Sequence, residues 1–443
     1  MDKNYFRRMP EGIIMKIRNI DAIQIYDSRG NPTIEVEVEL ENGMKGYGRV
    51  PSGISTGQYE ALELRDGDPQ KFRGMSVFKA VNNVKTEIAA LLKGKEVTDQ
   101  ETIDEYLITL DGTKNKSRLG ANAILGVSIA VADAAARFKG QQLFEYLGDG
   151  NLLPLPEIQI IGGGAHANRR IDIQDVLLIA TGAHTYEEAL EITFNVHRAA
   201  ADLLKERENY HGVADEGGFW PNFDKNEDAL QLMMESIERA GYTPGKEASI
   251  SLDIAASDLY SKKDGLYHFN LENRAFTSQE FAELMAQWCH SYPIISIEDP
   301  MADSDWEGWK AFTKLLGKTL QIVGDDLFTT NIERIQKGIQ MSIANAVLIK
   351  LNQIGTLTET MHAIAFTKKA GWLPVISARS GETEDAVIAH LAVATNAGQL
   401  KVGSFARGER MAKWNEILRI KRSLKGNSKF IGSEIYKSIF NWN

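Results

Sequence analysis

Three acidic residues end three successive apolar runs in the second half of this 443-residue chain. Asp253 follows Ser-Ile-Ser-Leu, Glu298 follows Ile-Ile-Ser-Ile, and Asp325 follows Ile-Val-Gly. Two lysines, Lys350 after Val-Leu-Ile and Lys401 after Leu400, stand at later runs in the same way. Three carboxylates brought together make a hard-oxygen site suited to Mg²⁺, and without a cation they would repel one another. A single acid at such a place is more often a solvated loop residue or a helix cap. Recurrence in register weakens that reading. A lysine behind apolar residues is costly unless a partner or a function holds it. An ion pair with the acids is the plain alternative. Two neighbouring ammonium groups also depress each other's pKa, which turns one into a usable base near neutral pH. The pattern points to proton abstraction beside a bound metal.

These residues need a scaffold that gathers strand ends. The runs ending at Asp253, Glu298, Asp325, Lys350, Arg379 and Lys401 are 45, 27, 25, 29 and 22 residues apart. All but the first spacing suit one strand plus one amphipathic helix, and the first leaves room for an excursion such as Ser261 to Asn273. Repeated βα units with charged residues at strand ends predict a (β/α) barrel with its chemistry at that rim. Upstream the pattern differs. Ile34, Val36, Val38 and Leu40 alternate with glutamates, Asn42-Gly43 supplies a hairpin turn, and Ile17 to Tyr26 reads as a further strand. Ser76 is a candidate cap for a helix carrying Val77, Val81, Val84, Ile88 and Leu91, and Gly120 to Phe138 reads as an alanine-rich helix. The expected division is an extension over 1–15, an α+β domain over 16–148 and a barrel over 149–443, broken near Gly148-Asp149-Gly150 and Pro154-Leu155-Pro156.

Composition narrows the function. A net charge of −10 opposes non-specific attraction to nucleic acid or an anionic membrane, so an anionic substrate must be met by local cations or metal. No apolar run approaches the roughly 20 residues that span a bilayer, and Met1 to Met15 lacks the core of a secretory signal. Cys289 is the one cysteine, so no intramolecular disulfide can form, and a reducing, cytoplasmic setting is expected. Gly162-Gly163-Gly164, Gly217-Gly218 and the segment from Ser52 to Gly57 could let backbone approach a ligand, but no Walker or dinucleotide fingerprint occurs.

Longer motifs are more specific. They include Asp27-Ser-Arg-Gly-Asn-Pro-Thr33, Val50-Pro-Ser-Gly-Ile-Ser-Thr-Gly57, Glu63-Leu-Arg-Asp-Gly-Asp68 and Gly120-Ala-Asn-Ala-Ile-Leu-Gly-Val-Ser128. Further along come Asp215-Glu-Gly-Gly-Phe219, Ser296-Ile-Glu-Asp-Pro300, Gly324-Asp-Asp-Leu327, Lys350-Leu-Asn-Gln-Ile-Gly355 and Arg379-Ser-Gly-Glu-Thr-Glu-Asp385. From about Lys16 onward the chain closely resembles the enolase family. The resemblance implies an α/β protein: a C-terminal (β/α)8 barrel with an N-terminal α+β capping domain. It implies a dehydratase that acts on 2-phosphoglycerate or a close phosphorus-bearing carboxylic acid. Asp253, Glu298 and Asp325 would hold a first Mg²⁺ and Ser55 would help hold a second. Lys350 would be the base, Glu216 the acid at the departing hydroxyl, Lys401 the carboxylate ligand, and Arg379 and Ser380 the phosphoryl ligands, with Gln174 and His166 lining the site. Homodimers or assemblies of dimers are implied as well.

The chain departs from the family at one ligand. Ala378 replaces a histidine before the Arg-Ser pair, Gly162-Gly163-Gly164 replaces Asn-Gly-Gly, Asp175 replaces a glutamate, and Arg169-Arg170 stands where neutral residues are usual. Retained chemistry on a changed substrate is one expectation, with carboxyphosphonoenolpyruvate synthase as the precedent. In that case Arg169 or Arg170 would reach an extra carboxylate if the loop after His166 folds inward. A catalytically silent scaffold is the remaining alternative, opposed by the intact lysines and acids.

Overall fold

The computed structural model describes residues 14–53 and 57–440. Most of the expected N-terminal extension, and Ser55, lie outside the described residues.

The chain opens with an antiparallel meander of β1 (Ile17–Tyr26), β2 (Pro32–Leu40) and β3 (Lys45–Arg49). The alternation in β2 is realised: Ile34, Val36, Val38 and Leu40 are buried, while Glu35, Glu37 and Glu39 meet Arg49, Lys45 and Arg18 across the strands. The helix Ala121–Phe138 packs on the buried face. It sits so close that a Cβ on Gly46 would come within 2.2 Å of the Ala134 nitrogen, and one on Gly48 within 2.2 Å of the Gly126 oxygen. Contrary to the expectation that no run approaches a bilayer span, this alanine-rich helix is apolar and long enough to cross a membrane, yet 83% of it is buried inside the protein. It is a core helix. The helical stretch expected after Ser76 runs Phe78–Leu92 with an internal π turn, but its cap is Asp66, whose carboxylate accepts from Phe78 N at 3.0 Å and Lys79 N at 2.8 Å. A distant acid outcompetes the adjacent hydroxyl for these N–H groups because a carboxylate also favours the helix's positive end.

The remainder adds β4 (Leu152–Leu153), β5 (Leu155–Gly162), β6 (Asp175–Ile179) and β7 (Ser249–Asp253). After a small antiparallel sheet, β8 (Tyr260–Ser261), β9 (Leu266–Phe269) and β10 (Arg274–Phe276), come β11 (Ile294–Glu298), β12 (Gln321–Gly324), β13 (Ala346–Ile349), β14 (Leu373–Ser377) and β15 (Gln399–Ser404). The small sheet is the excursion expected between Asp253 and Glu298. Eight strands close a barrel in the order β11-β12-β13-β14-β15-β5-β6-β7. One strand breaks the simple repeat: β6 runs antiparallel to both β5 and β7. Two helices, Tyr186–Glu206 and Glu227–Arg239, then follow in succession before β7. Lys401 also differs from expectation, lying inside β15 rather than at its end. At the opposite end of the barrel Ile435, Tyr436 and Phe440 pack on Leu155, Ile179, Val323 and Leu348.

The N-terminal helices dock on the first turn of the barrel helix Leu357–Lys369. Its three leading N–H groups go to Ser128 Oγ (3.0 Å), Asp104 (3.0 Å) and Thr356 Oγ1 (3.1 Å), so the orphan donors of a helix start become the joint. Thr358 Oγ1 and Gln100 Nε2 also donate to Asp104. Burial nevertheless raises the Asp104 pKa to about 6. The unfolded chain therefore ionises this group first, and its stability contribution is present below pH 3.8 and lost as pH rises through 6. At roughly 1.4 kcal/mol per unit the loss is about 3 kcal/mol. Asp104→Asn is expected to gain stability relative to the parent by about that amount between pH 3.5 and 7. Urea unfolding of both proteins across that range checks the slope, and a pH-independent difference would contradict it.

Candidate active site

The C-terminal rim of the barrel gathers the expected cast. His166, Gln174, Asp175, Glu216, Asp253 and Asp325 line one pocket with Lys350, Ala378, Arg379, Ser380 and Lys401. Glu298 joins them through Lys401, whose Nζ donates to Asp253 Oδ2 and Glu298 Oε2, each at 2.7 Å. Lys350 Nζ donates to Asp325 Oδ2 at 2.5 Å, and Gln353 Nε2 holds the other oxygen at 2.7 Å. The three acids are thus shared between two ammonium groups. Register explains part of this, since Asp253 and Glu298 are partners on the adjacent parallel strands β7 and β11.

The electrostatics follow from this crowding. Burial and the charge of Asp253 push the Glu298 pKa well above the carboxylate range. Burial also opposes ionisation of Asp253, but the Lys401 ammonium outweighs it and holds that acid low. Burial disfavours both ammonium groups, yet Asp253 and Glu298 hold Lys401 well above its ordinary value, and Asp325 raises Lys350. The expectation that paired cations would depress Lys350 is therefore reversed here. Arg379 and Lys401 do push it down, but Asp325 at hydrogen-bond distance pushes harder. Asp299 accepts from the backbone N of Asp325 and Asp326, both at 2.9 Å, and so shapes the turn after β12. Burial and Asp325 raise Asp326 to about 8. Hard oxygen donors that are buried, crowded and partly driven to the acid form fit a divalent cation such as Mg²⁺. Among the described residues, ligand atoms gather within 4.8 Å as His166-Asp175-Glu216 and as Asp299-Asp325-Asp326.

In the same pocket, His166 sits on a short turn, Gly164–Ala167. Its Nδ1 is 3.7 Å from Asp175 Oδ1 and 3.9 Å from Glu216 Oε1. Burial lowers its pKa, but these two carboxylates more than compensate and raise it. Glu216 is carried on a tight turn in which Gly217 has φ +96°, a conformation that favours glycine. The glycines before His166 serve packing: a Cβ on Gly163 would strike Ile171 and the Ile173 oxygen at 2.2 Å. Gln174 Nε2 donates to Asp253 Oδ2 at 3.0 Å, linking this side to the acids.

Arg379 is buried, and its guanidinium meets Glu60 Oε2 at 2.9 Å and Asn352 Oδ1 at 2.7 Å. Ser380 borders the pocket, and its carbonyl accepts from Arg410 at 2.6 Å. Ala378 offers a small apolar wall beside them. Glu60, Asp299 and Asp326 were not singled out from sequence. The last two flank Glu298 and Asp325 in acidic pairs, a signal that was readable, whereas Glu60 carries no local signature.

Arg169 and Arg170 are not brought to the pocket. Asn168 and Arg169 take φ of +53° and +54°, and Arg169 reaches Asp258 at 3.3 Å with both side chains substantially exposed. Arg170 stacks 4.8 Å from the Trp220 ring centroid and donates to Asn222 Oδ1 at 2.7 Å. Asp172, a conceivable partner for either, accepts instead from Asn226 and from the backbone of Asn270 and Leu271.

Comparison with known proteins agrees with this geometry. The family model described as "Enolase, N-terminal domain" matches residues 17–147, and "Enolase, C-terminal TIM barrel domain" matches residues 150–439. The chain is 53% identical over 424 residues to Enolase 1 of Desulfitobacterium hafniense (strain Y51), an alignment covering 95% of this chain and 97% of that protein. With both halves of the chain matched and the lysines, acids and arginine gathered at one barrel rim, the protein belongs to the enolase family.

Proposed function

We propose that this protein is a Mg²⁺-dependent hydro-lyase that removes water from 2-phosphoglycerate to give phosphoenolpyruvate. The observation that carries the reading is the meeting of two sets of groups in one pocket: Lys350 and Lys401 among three acids, and Glu216 with His166 and Asp175, the sets touching where Asp175 lies 3.7 Å from Lys401. A proton next to a carboxylate is very weakly acidic, and its loss leaves two negative charges on that carboxylate. Lys350 takes the proton. Lys401 holds the carboxylate, and Glu216, supported by His166 and Asp175, protonates the hydroxyl as it leaves. Arg379 and Ser380 receive the phosphoryl group, which must compete with Glu60 for the guanidinium. Gln174 steadies Asp253. Mg²⁺, held by Asp253, Glu298 and Asp325, would neutralise carboxylate charge and so relieve the support that keeps Lys350 protonated. Two metal sites, with Ser55 at the second, a cytoplasmic setting, a homodimer or assembly of dimers, and the division at 148/149 belong to the same proposal.

The choice of substrate rests on the cations. An analogue with an additional carboxylate on phosphorus needs a further positive partner, and Arg169 and Arg170 are engaged at the rim with Asp258, Trp220 and Asn222. Exposed ion pairs contribute about 0–1 kcal/mol. Arg169→Ala and Arg170→Ala are therefore expected to leave kcat/KM for 2-phosphoglycerate within about fivefold of the parent. The phosphonoformyl analogue is expected to be the poorer substrate. Steady-state comparison of both substrates in all three proteins tests this. Preference for the analogue, lost by more than about 30-fold in either arginine variant, would move the assignment to the phosphonate paralogue.

A further inference from the structure

Gln159, on β5, belongs to neither set of groups assigned above, yet it is fully buried between two of them. Its Oε1 accepts from the backbone N of Gly218 at 2.8 Å. A backbone N–H can only donate, so this contact fixes which end of the amide is oxygen. The other end is then a pure donor, and it hydrogen-bonds Asp175 Oδ1. One side chain thereby joins the acid on β6 to the turn that carries Glu216. The surroundings are cut to fit it: a Cβ on Gly218 would come 2.6 Å from Oε1, and one on Gly162 would come 3.3 Å from Nε2.

We propose that Gln159 is a positioning residue for the elimination step, orienting the Asp175 carboxylate and registering it against the Glu216 turn. The proposal rests on the dehydratase reading of this pocket. With Oδ1 committed to the amide, Asp175 keeps Oδ2 buried without a hydrogen-bond partner among the described residues, 3.7 Å from Lys401 Nζ. A donor that captures one oxygen stops the carboxylate from rotating onto the lysine or onto His166, whose Nδ1 lies 3.7 Å from Oδ1. The Glu216 turn has its own closure, Gly217 N to Ala214 O at 2.9 Å and Ala214 N to Gly218 O at 2.7 Å. Loss of the amide therefore leaves the turn folded but free to shift against Asp175. Lys350 is held elsewhere, by Asp325 and by Thr330.

This separation defines the experiment. Gln159→Met keeps length and removes both hydrogen bonds; Gln159→Asn keeps the amide but is too short to span both partners. Exchange of the α-proton of 2-phosphoglycerate into D2O reports the Lys350 side, and phosphoenolpyruvate formation reports the Glu216 side. In both variants kcat for elimination is expected to fall about 10- to 100-fold, the range seen when a supporting hydrogen bond to a reacting group is lost, with exchange and KM within about threefold. If Gln159→Met fails to fold, Gln159→Asn decides alone. Equal loss of exchange and elimination would mean a general structural role, and unchanged elimination would mean no role; either overturns the proposal. A parent protein that neither exchanges nor eliminates overturns the dehydratase reading itself, and the proposal with it.

Discussion

Turnover of 2-phosphoglycerate is expected to fall at least about 1000-fold when Mg²⁺ is chelated, and by a similar factor in Asp325→Asn at submillimolar Mg²⁺. The size follows from the charge that must be held. Proton loss concentrates two negative charges on one carboxylate in a pocket already lined by Asp253 and Asp325, with Glu298 bound to Lys401 beside them. Charge stabilisation by a metal is worth several kcal/mol, and each 1.4 kcal/mol or so is a factor of ten. Asparagine keeps the size of Asp325 and one oxygen but gives up the charge that draws both the ion and Lys350. Rescue of Asp325→Asn by high Mg²⁺ would locate the loss in metal affinity. Chelation without effect on turnover would remove metal from the mechanism.

Lys350→Met is expected to stop exchange of the α-proton, with a loss of about 100- to 10,000-fold, the contribution typical of a positioned general base. Methionine preserves the unbranched stem but cannot accept a proton. Because Asp325 would lose its ammonium partner, thermal stability should be compared at saturating Mg²⁺ so that misfolding is not mistaken for lost chemistry. Glu216→Gln is the complementary change, expected to keep exchange and lose elimination. Exchange at the parental rate in the Lys350 variant would require a different base.

Where a feature was written locally, the sequence carried it. The period-two alternation of β2 and the span of β1 are backbone consequences of neighbouring residues, and Asp253 and Glu298 do end their strands. What depended on distant partners was not legible. Val176–Ile179 is a continuous apolar run, and such a run reads the same in either direction, so the antiparallel placement of β6 left no trace. The Asp66 cap and the Glu60 partner of Arg379 both come from remote segments. The inward reach expected of Arg169 or Arg170 turns on two left-handed residues: Asn168 is of a type enriched in that conformation, but Arg169 after it gives no such notice. The lysine pKa expectation turned on the two cations, whereas the ion pair with the acids, its plain alternative, is what holds both lysines.

The most direct test is to incubate the parent protein with 2-phosphoglycerate and Mg²⁺ in D2O and follow the α-carbon and the enol product in the same sample by NMR. The lysines and the Glu216 group of this pocket require both deuterium at the α-carbon and phosphoenolpyruvate, each vanishing when Mg²⁺ is chelated. A folded, Mg²⁺-binding protein that leaves 2-phosphoglycerate protonated and intact would contradict the account.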